Sequence, residues 1–415
     1  MSHEDTEAQA PILDLPHLPE LQLRDGNPPV IDTIEHLQEY AAALEAGTGP
    51  VALDAERASG YRYSMRAYLV QIRREGAGIA LIDPVPLPDL SILNAAIGDT
   101  EWILHAATQD LACLAEVGMR PRRLFDTEVA GRILGRDRVS LAALVGSELG
   151  LTLHKGQGAT DWSARPLTAA QLTYAALDVE ALVELRNALH QELVAADRWN
   201  IAQQEFDHLL GFQPRDKGPD PWRRLSGMHK LTSPRQWAIA RELWLQRDQL
   251  AEQTDTAPGR LIPDSAIVAA VLAEPTSVRQ LMEADGFHGR GAGKYRRQWW
   301  EAIERARSIP KSELPQRAPR SEGPPPPRSW ADKDPAAAAR LSAARAAVSS
   351  TSEDLSMAPE LLLAPDLIRK LCWEPPTDAS EAGVRRYLAA GGAREWQIDL
   401  CTPALVDALR AGLET

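Results

Sequence analysis

The sequence predicts an α/β or α+β domain followed by two all-helical domains. Four apolar runs between residues 50 and 106, separated by polar or Gly/Pro segments, have the pattern of short strands. Apolar residues at helical spacing are interleaved with these runs and dominate the sequence after about residue 107. Two proline-containing segments then divide the helical part of the chain. Strands that come first and helices that come later indicate one sheet-containing domain with helical domains after it.

Composition indicates the domain boundaries. The N-terminal segment is acidic and contains several prolines, and the runs FQPRDKGPDPW and SIPKSELPQRAPRSEGPPPPRS have few apolar residues, as linkers do. We therefore expect a disordered tail over residues 1–27, the α/β domain over 28–211, a first helical domain over 222–308, a Pro-rich linker over 309–334 and a second helical domain over 335–415.

Individual elements follow from local patterns. The runs PVALDAE, AYLVQI, GIALID and EWILHA predict strands. The run LTAAQLTYAALDVEALVELRNALHQELVAA predicts one long helix that begins with a capping box, in which Thr168 is the N-cap and Gln171 follows three residues later. Ser233 and Gln236 predict a second capping box, with Pro234 at the first helical position.

Charge and cysteine content bear on the setting of the protein. The net charge is -13, but basic residues can still cluster on one face, so nucleic-acid binding is not excluded. Three widely separated cysteines predict neither a disulfide framework nor a cysteine-ligated zinc site, which favours a reducing, cytoplasmic setting. There is no basic-then-apolar leader and no apolar run of about 18 residues, so we expect neither secretion nor a membrane span.

Two carboxylates follow the first apolar run. Asp54 and Glu56 lie two residues apart, and on a strand such residues point to the same face. Two adjacent carboxylates at a strand end can bind hard divalent cations such as Mg²⁺ or Mn²⁺. Taken alone, this pair is also typical of ordinary surface charge.

Three further residues extend this acidic set. Asp110 follows the run EWIL at the start of a helix, and Tyr174 and Asp178 lie four residues apart on one helical face. Each has a simpler interpretation, as a helix-start charge for Asp110 and as an amphipathic boundary for the other two. The case for one shared site depends on their combination.

The order Asp54-x-Glu56, Asp110, Tyr174-x-x-x-Asp178 resembles the motifs of the DEDDy 3′→5′ exonucleases, and the resemblance to the ribonuclease D family is close. It covers about residues 48–190 and extends through YLVQI, LIDP, LHAATQDL, FDT and TDWSARPLTAAQLTYAALDV. The resemblance implies a ribonuclease-H-like α/β fold and a site with two divalent cations, Mg²⁺ or Mn²⁺.

The same resemblance implies roles for the five residues. Asp54 bridges both ions, Glu56 and Asp178 hold the ion that carries the attacking water, and Asp110 supports the second ion through water. Tyr174 orients the attacking water. Two cations about 3.5–4 Å apart suit phosphodiester hydrolysis because they activate water and stabilise the leaving oxygen.

Other residues near these motifs are candidates for substrate contact. Arg57 stands where the family commonly has an apolar residue, and it can contact a phosphate or a ribose. Lys155 and Arg165 flank the last motif and are candidate phosphate ligands, with surface charge as the alternative. For His105, which precedes the second motif, we favour a structural role over a role in the site.

Residues 224–308 resemble an HRDC domain, the helical module shared by ribonuclease D and RecQ-type helicases. Arg290, Lys294 and Arg297 are spaced as one basic stripe beside flexible glycines and are candidate nucleic-acid ligands, with a solvated helix face as the alternative. Residues 335–415 resemble a second, diverged HRDC-like domain, for which packing and RNA contact remain equally open.

These expectations combine into one predicted function. The chain removes nucleotides one at a time from RNA 3′ ends and releases nucleoside 5′-monophosphates, and the resemblance implies tRNA precursors as substrates. One alternative is a DNA 3′→5′ exonuclease, since the metal site itself does not inspect the 2′-hydroxyl. Another is a nucleic-acid-binding scaffold without catalysis, which the five intact residues argue against.

Overall fold

The computed structural model describes residues 18–153, 156, 158–214, 216, 218–317 and 323–411. The first domain contains a mixed sheet with strand order β1-β4-β3-β2-β5-β6. The strands are Val30–Ile31 (β1), Thr48–Arg57 (β2), Ala67–Glu75 (β3), Gly78–Ile82 (β4), Glu101–Leu104 (β5) and Arg123–Asp126 (β6). The four predicted strands are present as β2 to β5, and two short strands at the edges, β1 and β6, complete the sheet.

Eight helices belong to the first domain as the structure describes it. They are Ile34–Ala46 (α1), Ser91–Ile97 (α2), Leu111–Glu116 (α3), Thr127–Ile133 (α4), Leu141–Leu149 (α5), Ala169–Glu180 (α6), Leu182–Ala195 (α7) and Trp199–Leu210 (α8). Leu53 of β2 packs in one apolar cluster with Leu37 and Leu44 of α1. On the opposite face, β2 contacts α6 and α7. The α/β prediction is therefore confirmed.

The predicted long helix is two helices. Its capping box is present, because Gln171 N–H donates to the Thr168 hydroxyl (3.3 Å) and the Gln171 side chain accepts from Thr168 N–H (3.0 Å). The chain leaves helical geometry at Ala181 (φ -101°, ψ -2°), which separates α6 from α7. The Glu180 carbonyl instead accepts a hydrogen bond from the buried Arg73 guanidinium of β3, so a side chain satisfies the backbone group that the break exposes.

The two helical domains follow. The HRDC-like domain contains Pro234–Gln253 (α9), Pro258–Leu261 (α10), Asp264–Ala273 (α11), Val278–Glu283 (α12), Arg290–Lys294 (α13) and Arg296–Ser308 (α14). The C-terminal domain contains Trp330–Lys333 (α15), Pro335–Leu355 (α16), Pro359–Leu362 (α17), Pro365–Trp373 (α18), Glu381–Ala390 (α19) and Glu395–Ala411 (α20). The capping box of α9 at Ser233 is confirmed.

Two predicted boundaries need correction. Residues 1–17 lie outside the described part, but residues 18–27 are not a free tail: Leu21 is buried, its N–H donates to Thr152 O (2.9 Å), and Arg24 pairs with Glu180 (3.0 Å). The predicted linker over 309–334 also ends too late, because Trp330 is fully buried in the C-terminal domain. Leu21 and Trp330 are isolated apolar residues in polar segments, so they gave no periodic signal in the sequence. Both are nevertheless buried by tertiary contacts.

The C-terminal domain shares a core with the first domain. Trp396 and Leu405 belong to the same apolar cluster as Phe125 and Leu185. At this junction the buried Glu205 of α8 accepts hydrogen bonds from the Arg394 guanidinium (2.6 and 2.7 Å) and from the Trp396 ring N–H (2.7 Å). The two domains are thus separated in sequence but continuous in packing. No helix in the described ranges is long and apolar enough to cross a membrane.

Candidate active site

Strand β2 and helix α6 bring three carboxylates together. Asp54 and Glu56 lie on the face of β2 that contacts α6, while Leu53 and Ala55 point into the opposite apolar cluster. Asp178 of α6 joins the pair, and one carboxylate oxygen from each of the three residues lies within 4.8 Å of the others. An oxygen-only ligand set of this size fits a hard divalent cation.

Asp110 approaches the same site from the end of β5. A short 3₁₀ turn over Ala107–Gln109 leads to it, and Ala106 has the left-handed φ of 57° that begins this turn. Asp110 is buried and lines the pocket that also contains Asp54 and Asp178, but it lies outside the group of three within 4.8 Å.

Asp126, to which the sequence pattern assigned no role, holds this turn in place. Its carboxylate accepts hydrogen bonds from Ala106 N–H (3.1 Å) and Ala107 N–H (2.7 Å) and also caps α4 through Glu128 N–H (2.8 Å). One buried side chain therefore fixes both the left-handed residue and the helix beside it. The FDT motif, which contains Asp126, is part of the family resemblance. Its hydrogen-bond partner Ala106 lies 20 residues earlier, and no local sequence pattern links these two residues.

The pocket carboxylates carry more negative charge than nearby protein groups neutralise. Burial, followed by repulsion from neighbouring carboxylates, raises the pKa of Glu56 and of Asp110. Burial likewise raises the pKa of Asp54 to about 6, although Arg57 lowers it in part. Such shifts indicate a site whose charged form needs bound cations.

Tyr174 lies one helical turn before Asp178. Its hydroxyl hydrogen-bonds to Asp178, and burial together with that negative charge raises the pKa of the phenol, so the hydroxyl keeps its proton at neutral pH. A Cβ placed on Gly158 would lie 3.5 Å from the Tyr174 oxygen, so this glycine leaves the phenol accessible from the pocket. All five predicted site residues line one pocket of about 460 Å³.

The HRDC-like domain holds one wall of this pocket. Ser59, Gly60 and Tyr61 line it. Ala257 N–H donates to Tyr61 O (3.0 Å), and Arg260 Nε–H donates to Gly60 O (2.8 Å) while its guanidinium stacks 4.0 Å from the Tyr61 ring centroid. A domain remote in sequence thereby shapes the active-site pocket.

The predicted substrate-binding residues near the pocket have different outcomes. Arg57 lines the pocket beside the carboxylates. Arg165 does not face substrate: its guanidinium pairs with Asp83 (2.6 Å) and donates to the carbonyls of Tyr68, Trp162 and Ala164, which occupies its hydrogen-bonding capacity. Its predicted phosphate contact is therefore wrong. Lys155 lies outside the described residues.

The basic stripe of the HRDC-like domain is interrupted. Arg290 and Lys294 belong to α13, whereas Arg297 belongs to α14, and the helix breaks at Tyr295 between them. All three side chains are exposed, but Arg297 pairs with Glu301 (3.0 Å). The expected single helical face is wrong, because the backbone at Tyr295 (φ -107°, ψ 20°) interrupts the helix between Lys294 and Arg297.

Sequence comparisons agree with this geometry. Residues 28–194 match the family described as 3'-5' exonuclease, residues 236–303 match the HRDC domain, and residues 323–409 match the 3' to 5' exonuclease C-terminal domain. A ribonuclease D from Gluconacetobacter diazotrophicus is 30% identical over 358 residues, which cover 85% of this chain and 88% of the relative. The chain belongs to the ribonuclease D family. It is a 3′→5′ exonuclease by domain and by family.

Further relatives support this assignment. The Escherichia coli ribonuclease D is 30% identical over 291 residues, covering 69% of this chain and 76% of that protein. Its crystal structure superimposes with a TM-score of 0.66 at 25% identity over 92% of this chain and 99% of that chain. A crystal structure of a protein from Bifidobacterium adolescentis superimposes with a TM-score of 0.87 at 37% identity, over 95% and 100% of the two chains. The arrangement of sheet domain and helical domains is therefore shared across solved structures.

Proposed function

We propose that the chain removes nucleotides one at a time from RNA 3′ ends and releases nucleoside 5′-monophosphates. The observation that carries this proposal is the group of Asp54, Glu56 and Asp178, whose carboxylate oxygens lie within 4.8 Å of one another in an open pocket. RNA as substrate is supported by the relatives named ribonuclease D and by the Escherichia coli protein, which is described as an exoribonuclease involved in structured RNA processing.

The proposed site holds two divalent cations, Mg²⁺ or Mn²⁺. When bound, such ions activate water and neutralise the charge that develops on the phosphodiester. Asp54 would serve both ions, Glu56 and Asp178 would hold the ion that carries the attacking water, and Asp110 would support the other. Glu56 and Asp110 are buried, and Asp54 and Asp178 are partly buried. This burial supports these roles, because fixed ligands bind without having to reorganise.

Two side chains act on water and substrate in this proposal. The protonated Tyr174 hydroxyl, held beside Asp178, orients the attacking water toward the phosphorus. Arg57, at the end of β2, contacts a phosphate or ribose of the terminal nucleotide. Tyr61 adds an aromatic surface to the wall of the pocket, on which a base can stack.

The wider biological setting is also a proposal. The family resemblance supports tRNA precursors as substrates, and exposed Arg290, Lys294 and Arg297 supply a basic surface for the body of the RNA. All three cysteines are free and buried, which supports a reducing, cytoplasmic location.

Digestion of end-labelled RNA tests this proposal directly. With Mg²⁺ or Mn²⁺, a 3′-labelled oligomer should release labelled mononucleotide in the first turnover, whereas a 5′-labelled one should shorten as a ladder. Asp54→Asn is the inactive control, and chelator should stop the wild type. Mononucleotide release from the 5′ end, or internal cuts as the first products, would contradict the assignment.

A further inference from the structure

His105 lies in the active-site pocket but has no part in the chemistry described above. It directly follows the last residue of β5 and lines the same pocket as Asp54, Asp110 and Tyr174. The imidazole is partly exposed, unlike the fully buried Leu104 before it. A structural role alone does not require a ring that opens into the substrate pocket.

Hydrogen bonding fixes which ring nitrogen carries the proton. His105 Nδ1 lies 2.9 Å from the Thr127 hydroxyl oxygen, and that hydroxyl donates to Leu104 O (3.4 Å). A hydroxyl has one hydrogen, so with that hydrogen directed at Leu104 O we assign the donor role in the 2.9 Å contact to Nδ1–H. Nε2 is then unprotonated and carries a lone pair.

Nε2 is open to solvent. Among the described residues, no group forms a hydrogen bond with Nε2, and this atom is not fully buried. His105 lines the active-site pocket and Nδ1 is engaged by Thr127, so Nε2 is the ring nitrogen left to bind a ligand there. Burial lowers the pKa of His105 to about 4, which keeps the imidazole neutral at pH 7.

A neutral acceptor at this position selects for a hydrogen-bond donor. Ribose at an RNA 3′ end offers hydroxyl donors, and the 2′-hydroxyl is the group that DNA lacks. We propose that His105 Nε2 accepts a hydrogen bond from a ribose 2′-hydroxyl at the RNA end, which makes His105 a specificity-determining residue for RNA over DNA. This inference rests on the proposed exonuclease function, whose metal ligands alone do not read the sugar.

Two substitutions of His105 test the roles of its two ring nitrogens separately. His105→Asn places an amide N–H near the Nδ1 position, so it keeps the donor to Thr127 and removes the Nε2 acceptor. His105→Gln places its amide near Nε2 and gives up the contact with Thr127. His190→Asn is the control for the histidine-to-asparagine change, because His190 packs edge-on against Trp199 and does not line the pocket.

The test measures kcat/KM on matched RNA and DNA oligomers, and on RNA oligomers with one 2′-deoxy nucleotide at the last or penultimate position. We expect His105→Asn to lose about tenfold on RNA, the size of one neutral hydrogen bond, and to keep the wild-type rate on DNA. One of the single-deoxy oligomers should abolish the difference between wild type and variant. His105→Gln should retain more of the RNA preference than His105→Asn.

The outcomes distinguish this inference from the function on which it rests. Equal losses on RNA and DNA, no loss on RNA, or a wild type without RNA preference would each overturn the role of His105. A wild type that does not shorten RNA from its 3′ end would instead overturn the proposed function. Thermal unfolding of each variant checks the fold, and the RNA-to-DNA ratio does not depend on the fraction of folded enzyme.

Discussion

Two groups of buried or partly buried carboxylates in this molecule have opposite surroundings. At the junction with the C-terminal domain, Glu205 accepts three hydrogen bonds from Arg394 and Trp396. In the pocket, Arg57 acts on the pKa of Asp54, Glu56 and Asp110 but not of Asp178. Burial raises the pKa of all four carboxylates, and repulsion raises it further in Glu56, Asp110 and Asp178. The first arrangement satisfies its charge within the protein, whereas the second leaves charge uncompensated.

This difference distinguishes a carboxylate that stabilises the fold, Glu205, from the pocket carboxylates, which serve function. A buried carboxylate costs free energy unless a cation or hydrogen-bond donors compensate it. Stability alone favours the compensated arrangement around Glu205. The uncompensated carboxylates of the pocket therefore indicate that cations from solution bind there. The predictions below test this contrast.

The largest expected effect is loss of catalysis from neutralising the pocket. Asp54→Asn, Glu56→Gln and Asp178→Asn should each lower turnover by roughly 10³-fold or more, the upper range for removing one preorganised charge. Each change keeps side-chain volume, so the fold should remain. Single-turnover assays at saturating Mg²⁺ measure this, and two variants with near wild-type turnover would refute the ligand assignment.

Tyr174→Phe should have a smaller effect, on the order of 10²–10⁴-fold in turnover, because it removes a positioned hydrogen-bonding group but no ligand. The affinity for the ion should persist. The measurement is single-turnover cleavage combined with a Mn²⁺ titration. Unchanged cleavage would assign Tyr174 to packing.

The sequence predicted the pocket well because its signals are local. Asp54 and Glu56 share a strand, Tyr174 and Asp178 share a helix turn, and the capping box at Thr168 sets that helix. Spacing along one element is enough to place such residues on one face, and the resemblance then joined the elements.

Features that depend on distant partners were missed. Arg165 looked like a phosphate ligand because its partner, Asp83, lies 82 residues earlier in the chain. At the break after Glu180, the Glu180 carbonyl accepts a hydrogen bond from Arg73 of another strand. Leu21 is buried through pairing with the segment near Thr152. Periodicity carries no information about such contacts, because tertiary packing chooses them.

Breaking the compensated pair should reduce stability instead of catalysis. Arg394→Ala leaves Glu205 buried with one donor and should cost about 3–5 kcal/mol in the free energy of unfolding. Arg122→Ala is the matched control, since Arg122 and Asp99 form an exposed pair worth less than about 1 kcal/mol. Urea unfolding measures both, and equal losses would show that burial of the pair is unimportant.

The pH dependence of stability should differ between the two kinds of carboxylate. In chelator, the pKa of Asp54, raised from 3.8 to about 6, gives a contribution that is fully present below about pH 4 and is lost as pH rises from about 4 to 7. Burial alone would raise the pKa of Glu184, but hydrogen bonds from Arg73 and Arg24 lower it to about 2. Its contribution is therefore constant above about pH 5 and is lost only as pH falls below about 4.5.

Urea unfolding across about pH 4 to 7 in chelator measures this difference. We expect wild type to lose stability as pH rises, and Asp54→Asn to show a flatter profile. Identical slopes for the two proteins would mean that the pocket charge is already neutralised within the protein.

Thermal unfolding with and without divalent cation tests most directly whether the uncompensated carboxylates form an ion site. Binding to the folded state alone should stabilise it by about 2.7 kcal/mol at an ion concentration of 100 Kd, so the wild-type Tm should rise with Mg²⁺ or Mn²⁺. Asp54→Asn should have a higher Tm than wild type in chelator and gain much less from the ion. A wild-type Tm that does not respond to either ion, or an equal gain in Asp54→Asn, would contradict the account.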